Sequence, residues 1–267
     1  MPALQFAAAT AREQLTGSPR RSASALLARV HILASELGVK AGDSELAWAH
    51  AQAAVAAAEG CGDPAVLADA TRICATPLRR QGRAGDAVLL LEGTLHRLDA
   101  EAPHAAPAIV TAAGSLALSA AYSAALAGQK ATALELVERA QDAADRLATQ
   151  PRPRSGDLSC QQIQLYKVGV HHLLGQDTTA VRIARQLDPR ALPTPERRAR
   201  LGTDSARALL ALGADDEALA ALLSIEAAAP EDAGRPSVRA LTSELLTRRP
   251  ALSGLRDFAV RTHVVSM

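Results

Sequence analysis

Gly128-Gln129-Lys130-Ala131-Thr132-Ala133-Leu134 decides the architecture: a glycine, an alanine five residues later, and an apolar residue directly after it. The same spacing returns at Gly42/Ala47/Trp48, Gly82/Ala87/Val88, Gly175/Ala180/Val181 and Gly213/Ala218/Leu219, with 40, 46, 47 and 38 residues between successive glycines. A glycine that follows a helical run supplies the left-handed backbone on which a helix ends. A second helix then starts two or three residues on, and the alanine falls inside it where two helices approach closely. Asp43, Asp86, Asp177 and Asp215 lie in or beside these turns. There a carboxylate caps free backbone N–H groups and complements the helix dipole.

Working outward, breakers separate these elements: Gly60-Cys61-Gly62-Asp63-Pro64, Pro103 and Pro107, the run Pro151-Arg152-Pro153-Arg154-Ser155-Gly156, the prolines from Pro189 to Pro195, and Pro230. Asp63-Pro64 and Thr194-Pro195 each place a capping side chain before a proline suited to the first helical position. Helical hairpins are therefore expected at about 24–59, 63–100, 105–149, 157–188 and 194–229, with a looser pair from about 235 to 265 that Pro250 divides. Residues 1–22 are expected as a frayed or partial helix, and 23–267 as the repeat domain.

Composition agrees with an all-α chain. Of 267 residues 48% are hydrophobic and 2% aromatic, and alanine and leucine, both strong helix formers, run through almost every segment. Twenty-nine basic and 28 acidic residues leave a net charge of +1, so no global field draws the chain to nucleic acid or anionic membrane. Cys61, Cys74 and Cys160 form no CxxC pair, which points to reduced thiols and a cytoplasmic protein without a disulfide framework or zinc site. Residues 1–6 carry no basic segment or apolar core of a secretory signal. Ala102 to Gln129 has no Asp, Glu, Lys or Arg and is long enough to cross a bilayer. Its Ala, Ser and Gly content makes a buried helix the expectation.

The Gly-x4-Ala element resembles the turn of tetratricopeptide repeats, so the expected fold is a right-handed superhelical solenoid of tetratricopeptide-like hairpins. The large aromatic positions of that repeat are absent here, and the spacing exceeds its usual length. A narrower resemblance rests on Lys40-Ala41-Gly42-Asp43, Leu46-Ala47-Trp48, Arg80-Gln81-Gly82-Arg83, Leu187-Asp188-Pro189, Leu192-Pro193-Thr194-Pro195-Glu196-Arg197-Arg198-Ala199-Arg200 and Ala229-Pro230-Glu231. These stretches are similar to the C-terminal repeat region of actinobacterial helix-turn-helix transcriptional regulators. That resemblance implies a sensor or oligomerisation module. Residues 1–22 are too few to hold the DNA-binding domain that precedes the repeats in that family.

No GxGxxG or GxxxxGK phosphate loop, HExxH or GxSxG occurs, which favours binding over catalysis and calls for no cofactor. His171 and His172 point about 100° apart on a helix and are badly placed to share a metal. Cys160 lies about 16 Å by helical rise from His171, too far for a nucleophile pair, and is expected to be structural and buried. Glu135, Glu138, Asp142 and Asp145, interleaved with Arg139 and Arg146, read as a solvated outer helix.

The tetratricopeptide resemblance implies a concave groove lined by the first helix of each hairpin. Its geometry assigns groove positions to Arg72, Arg79, Tyr122, Gln162, His172 and Arg207. Tyr166 joins them from Gln161-Gln162-Ile163-Gln164-Leu165-Tyr166-Lys167, the least alanine-like helix. The regulators carry approximately Asn-x-x-x-His-Arg there, which implies a different ligand for this chain. The expected partner is a peptide, small molecule or protein in the groove, with no direct DNA binding by this chain alone and no membrane; a homodimer is a further expectation. A stand-alone adaptor that docks a partner protein is the alternative reading, and an enzyme that uses the solenoid cavity is the third.

Overall fold

The computed structural model describes residues 2–99, 106–148 and 158–265. The breakers at Pro103 and 151–156 lie outside the described residues. Within them the chain is all-α, with no strand. It divides into two compact units, Met1–Ser159 and Cys160–Met267.

In the first unit the helices are α1 (Pro2–Gln14), α2 (Gly17–Ala41), α3 (Ser44–Glu59), α4 (Pro64–Arg80), α5 (Ala84–Asp99), α6 (Pro107–Leu126) and α7 (Lys130–Ala148). In the second they are α8 (Cys160–Leu173), α9 (Asp177–Gln186), α10 (Pro195–Ala211), α11 (Asp215–Ala228), the single turn α12 (Pro230–Ala233), α13 (Pro236–Arg248) and α14 (Leu255–Arg261). The pairs α2/α3, α4/α5, α6/α7, α8/α9 and α10/α11 are tetratricopeptide-like hairpins joined through the five repeat glycines.

Each joint is built the same way. Gly42, Gly82, Gly128, Gly175 and Gly213 have φ between 70° and 82°. The residue after each glycine donates its N–H to the carbonyl five residues back: Asp43 to Gly38, Arg83 to Leu78, Gln129 to Ala124, Gln176 to His171 and Ala214 to Leu209, all at 2.8–2.9 Å. That bond closes the first helix in a Schellman turn. The carbonyl of the same residue then accepts from the repeat alanine four residues on, at Ala47, Ala87, Ala133, Ala180 and Ala218. Gly-x4-Ala is thus one left-handed joint plus one helical turn. All five alanines are fully buried, as expected of side chains at helix crossings.

The carboxylates of the joints divide by position. Asp43, directly after its glycine, caps α3 by accepting from Leu46 N–H at 2.9 Å. Asp86, Asp177 and Asp215 sit in the first turn proper and pair with charged or ionisable side chains instead: Arg83 at 2.6 Å, His172 at 2.6 Å and, as an ion pair, Arg248 at 3.0 Å. They remain at the positive end of a helix dipole, but the capping role expected of them is not theirs. Asp63 and Thr194 do cap α4 and α10, each ahead of a proline in the first helical turn.

Stacking follows from which faces are apolar. Helix α4 lies against α2, α3, α5 and α6, while α10 lies against α8, α9, α11 and α13. The first helices of successive hairpins are therefore neighbours within each unit. In the first unit Ala28, Ala54, Ala57, Ala58 and Ala70 pack around Leu27 and Val66, and Leu91, Leu95, Leu116 and Leu118 are fully buried beyond them. In the second, Leu165, Leu192, Leu222, Ile225, Leu245, Leu255 and Phe258 form one cluster. Helix α6, apolar and long enough to cross a membrane, buries Val110, Leu116 and Leu118 inside the hairpin packing.

Residues 2–22 are helical apart from a short break at Leu15 and Thr16. Helix α1 covers Pro2–Gln14, and its Ala8 and Ala9 pack on the core of α2 and α3. Helix α2 reaches back to Gly17. Pro250 and Gly254 (φ 80°) lie between α13 and α14.

Candidate functional site

In the first unit, α4 and α6 bring Arg79 and Tyr122 together. Arg79 lies in the last turn of α4. Its Nη1 donates to Ser123 Oγ at 2.9 Å and lies 3.4–3.5 Å from the carbonyl and hydroxyl of Ser119. Its Nη2 donates to Thr76 Oγ1 at 2.9 Å, one turn earlier on α4. The guanidinium carbon stands 5.2 Å from the centroid of the Tyr122 ring, within cation–π range. Ser119, Tyr122 and Ser123 share a helix face because they are three and four residues apart. Ser123 also donates to the Ser119 carbonyl at 2.9 Å, which fixes the hydroxyl that receives Arg79.

In the second unit, α8 and α10 repeat the pairing. The Arg200 guanidinium carbon stands 4.0 Å from the centroid of the Tyr166 ring. Here the anchor is a carboxylate: Asp204, 3% exposed at its side chain, takes Arg200 Nε at 3.4 Å and Arg207 Nη1 at 2.8 Å. The spacing of four and three residues places both arginines on one face of α10 around one buried acid. Both tyrosines of the chain therefore lie against an arginine from the neighbouring first helix.

The other expected site residues are placed differently. Arg72 lies 3.9 Å from Asp69 one turn away on α4. His172 Nδ1 bonds Asp177 at 2.6 Å, and His171 Nδ1 bonds Gln176 at 2.6 Å. The two histidines thereby tie α8 to α9 through separate partners, in keeping with their divergent directions. Gln162 is buried, 4% exposed, and so faces packing. Cys160 is exposed at the first position of α8, which corrects the expectation of a buried thiol: at a helix start no preceding turn covers it. Cys74 is buried, and burial pushes its thiol up to about 12. Glu135, Glu138, Asp142 and Asp145 are exposed on α7, as a solvated outer helix requires. Among the described residues no group of three or more His, Cys, Asp or Glu side chains is placed to hold a metal ion.

Sequence reasoning missed Asp204, Ser119 and Ser123. The signal for Asp204 was present as an acid four residues after one arginine and three before another. The two serines gave none, because in an Ala/Ser-rich helix a hydroxyl that anchors an arginine looks like any small residue.

No family model matches the chain, and no curated protein matches it. Among solved structures it is similar to nearly identical TPR-like repeats of a Podosopora anserina protein described as a kinesin light chain, with 18% identity, 75% of this chain and 93% of that one covered, and a TM-score of 0.45. A point variant of the same protein aligns over the same shares at 18% identity with a TM-score of 0.46. A tetratricopeptide repeat protein from Parabacteroides merdae aligns at 14% identity over 88% of this chain and 98% of its own, with a TM-score of 0.25.

Proposed function

We propose that the chain works by binding, not catalysis, and that its ligand-contacting groups lie on the first helices of the hairpins. One observation carries this reading: Arg79 and Arg200 are each set against a tyrosine ring from the adjacent first helix. A guanidinium held in place offers a planar fork for a carboxylate or phosphate, and the tyrosine beside it offers a rigid face with one polar tip. The ligand class that fits is an anionic small molecule or a peptide with an acidic or C-terminal carboxylate group. The similarity to regulator repeat regions supports a sensor role in transcriptional control, with DNA contacted by another domain or partner.

The test is binding by a ligand obtained through co-purification or a peptide and metabolite screen. Arg79→Ala and Tyr122→Ala should each weaken it at least severalfold, roughly the loss of one charge-assisted bond or one aromatic contact, with helical circular dichroism unchanged. Normal binding by both variants, together with loss in Glu135→Ala on the outer helix α7, would overturn the assignment to the first helices.

The adaptor reading has its own support in Leu26, Leu33 and Leu37. These side chains are 53–55% exposed on α2 at spacings of seven and four, which puts them on one helix face. An adaptor would lose its protein partner on Leu33→Asp while tolerating Arg79→Ala.

A further inference from the structure

Helix α1 and the N-terminal end of α2 open a cleft of about 630 Å³, lined by Arg12, Glu13, Gly17, Arg20, Arg21, Ser24, Ala56 and Gly60 and by no residue of the arginine–tyrosine pairs. Three guanidiniums face it against one carboxylate. Arg12, Arg20 and Arg21 make no hydrogen bond or ion pair with any described residue. Cations gathered in one concavity raise the local potential and favour an anion that draws them in.

The helix end adds to that field. Helix α2 is 25 residues long, its first turn holds no acidic side chain, and the Thr16 side chain does not cap it. Such a terminus carries a partial positive charge and outward N–H groups. A separate feature points to a ligand. Ser24 lines the cleft, is 1% exposed, and its hydroxyl has no hydrogen-bond partner among the described residues. A hydroxyl so nearly buried and without a partner is uncommon. A Cβ at Gly60 would stand 3.4 Å from Ser24 Oγ, so glycine there gives the hydroxyl room.

We propose that this cleft binds a small molecule carrying a diphosphate group. Three guanidinium forks, a helix terminus and one hydroxyl supply many donors at close quarters, and adjacent phosphoryl groups supply a matching number of acceptor oxygens. The net positive charge of the lining matches a multiply charged anion better than a single carboxylate. The volume lies in the range of small-molecule sites and leaves room for an organic group beside the phosphates.

The experiment is calorimetric titration of the full chain with pyrophosphate near 150 mM salt, with inorganic phosphate, citrate and a short single-stranded oligonucleotide in parallel. Pyrophosphate should bind saturably at one site per chain, more tightly than phosphate or citrate, and should raise the melting temperature. Arg20→Gln and Arg21→Gln should each weaken it about tenfold and Ser24→Ala about threefold, whereas Arg79→Ala should leave it unchanged. Absence of saturable binding, or equal affinity in the arginine variants with their circular dichroism intact, would overturn the proposal. So would tighter binding of citrate, which would make the site a carboxylate site, or of the oligonucleotide, which would make the basic cluster a nucleic-acid contact. Because Arg79 and Tyr122 take no part, failure here leaves the reading of the first helices standing.

Discussion

The arginine–tyrosine pair of α4 and α6 and that of α8 and α10 share a geometry and differ in what holds the arginine. Arg79 is anchored through the hydroxyls of Ser119, Ser123 and Thr76, whereas Arg200 shares the buried Asp204 with Arg207. A hydroxyl orients a guanidinium without cancelling its charge, while a carboxylate orients and partly neutralises it. The same backbone arrangement therefore sets two different fields at two sites. It follows that the second site depends on one side chain, and the first is spread over three.

The sharpest way to break this contrast is to remove the anchors. Asp204→Ala leaves two arginines, each about 30% exposed, without their shared acid. The loss of stability should be about 2–3 kcal/mol, below the range for fully buried pairs because water reaches both guanidiniums. Ser123→Ala removes one neutral hydrogen bond and should cost about 1 kcal/mol. Urea unfolding of both variants measures the difference, and equal losses would mean that the two sites are anchored alike.

A smaller effect tests whether the joints beneath the two sites are equivalent. Gly128 ends the helix that carries Tyr122, and Gly175 ends the helix that carries Tyr166. Their φ values are 76° and 70°, and an added Cβ would meet nothing within 4 Å at either. Gly128→Val and Gly175→Val should therefore each cost about 1–2 kcal/mol, all of it from the left-handed backbone. A fully tolerated change at either position in thermal melts would count against that joint.

The smallest expected effect belongs to the first unit and appears with pH. His31 on α2 is 8% exposed, and its Nδ1 lies 3.0 Å from His50 Nδ1 on α3. Burial holds its pKa below the ordinary 6.5, with His50 and then Arg12 of α1 adding to the shift. Since the unfolded chain takes up the proton first, this stability is present in full above pH 6.5. It is lost as pH falls from there through the lowered folded value. The melting temperature should drift downward over that window, and His31→Gln should flatten the drift.

Most of the hairpin architecture was legible because one spacing encodes it: a left-handed glycine and one helical turn fix where an alanine must fall, whatever lies between. The placement of Arg79 and Tyr122 on first helices was legible for the same reason, since each stands at a fixed distance before its glycine. Residues that meet across a hairpin were harder to find. His31 and His50 are 19 apart, and they pair because Gly42 folds α2 onto α3, the same register that lets Ser35 Oγ donate to the Ala47 carbonyl at 2.8 Å. Once the glycine is assigned, pairs nearly equidistant from the turn can be read as neighbours. Cys160 went astray because burial at a helix start depends on which helix packs there, and periodicity does not carry that information.

The five buried alanines also make the direction of tolerable change one-sided. At Ala47, Ala87, Ala133, Ala180 and Ala218 almost every replacement is larger than the residue it replaces. Drift in these hairpins must then proceed mostly by exchange with serine or glycine, or by paired changes in which a facing helix gives up volume. Lineages of such a chain should diverge quickly on their outer faces while the length between joints changes only by whole loop residues. Diversity would accumulate between the glycines and the breakers, where a new side chain has room.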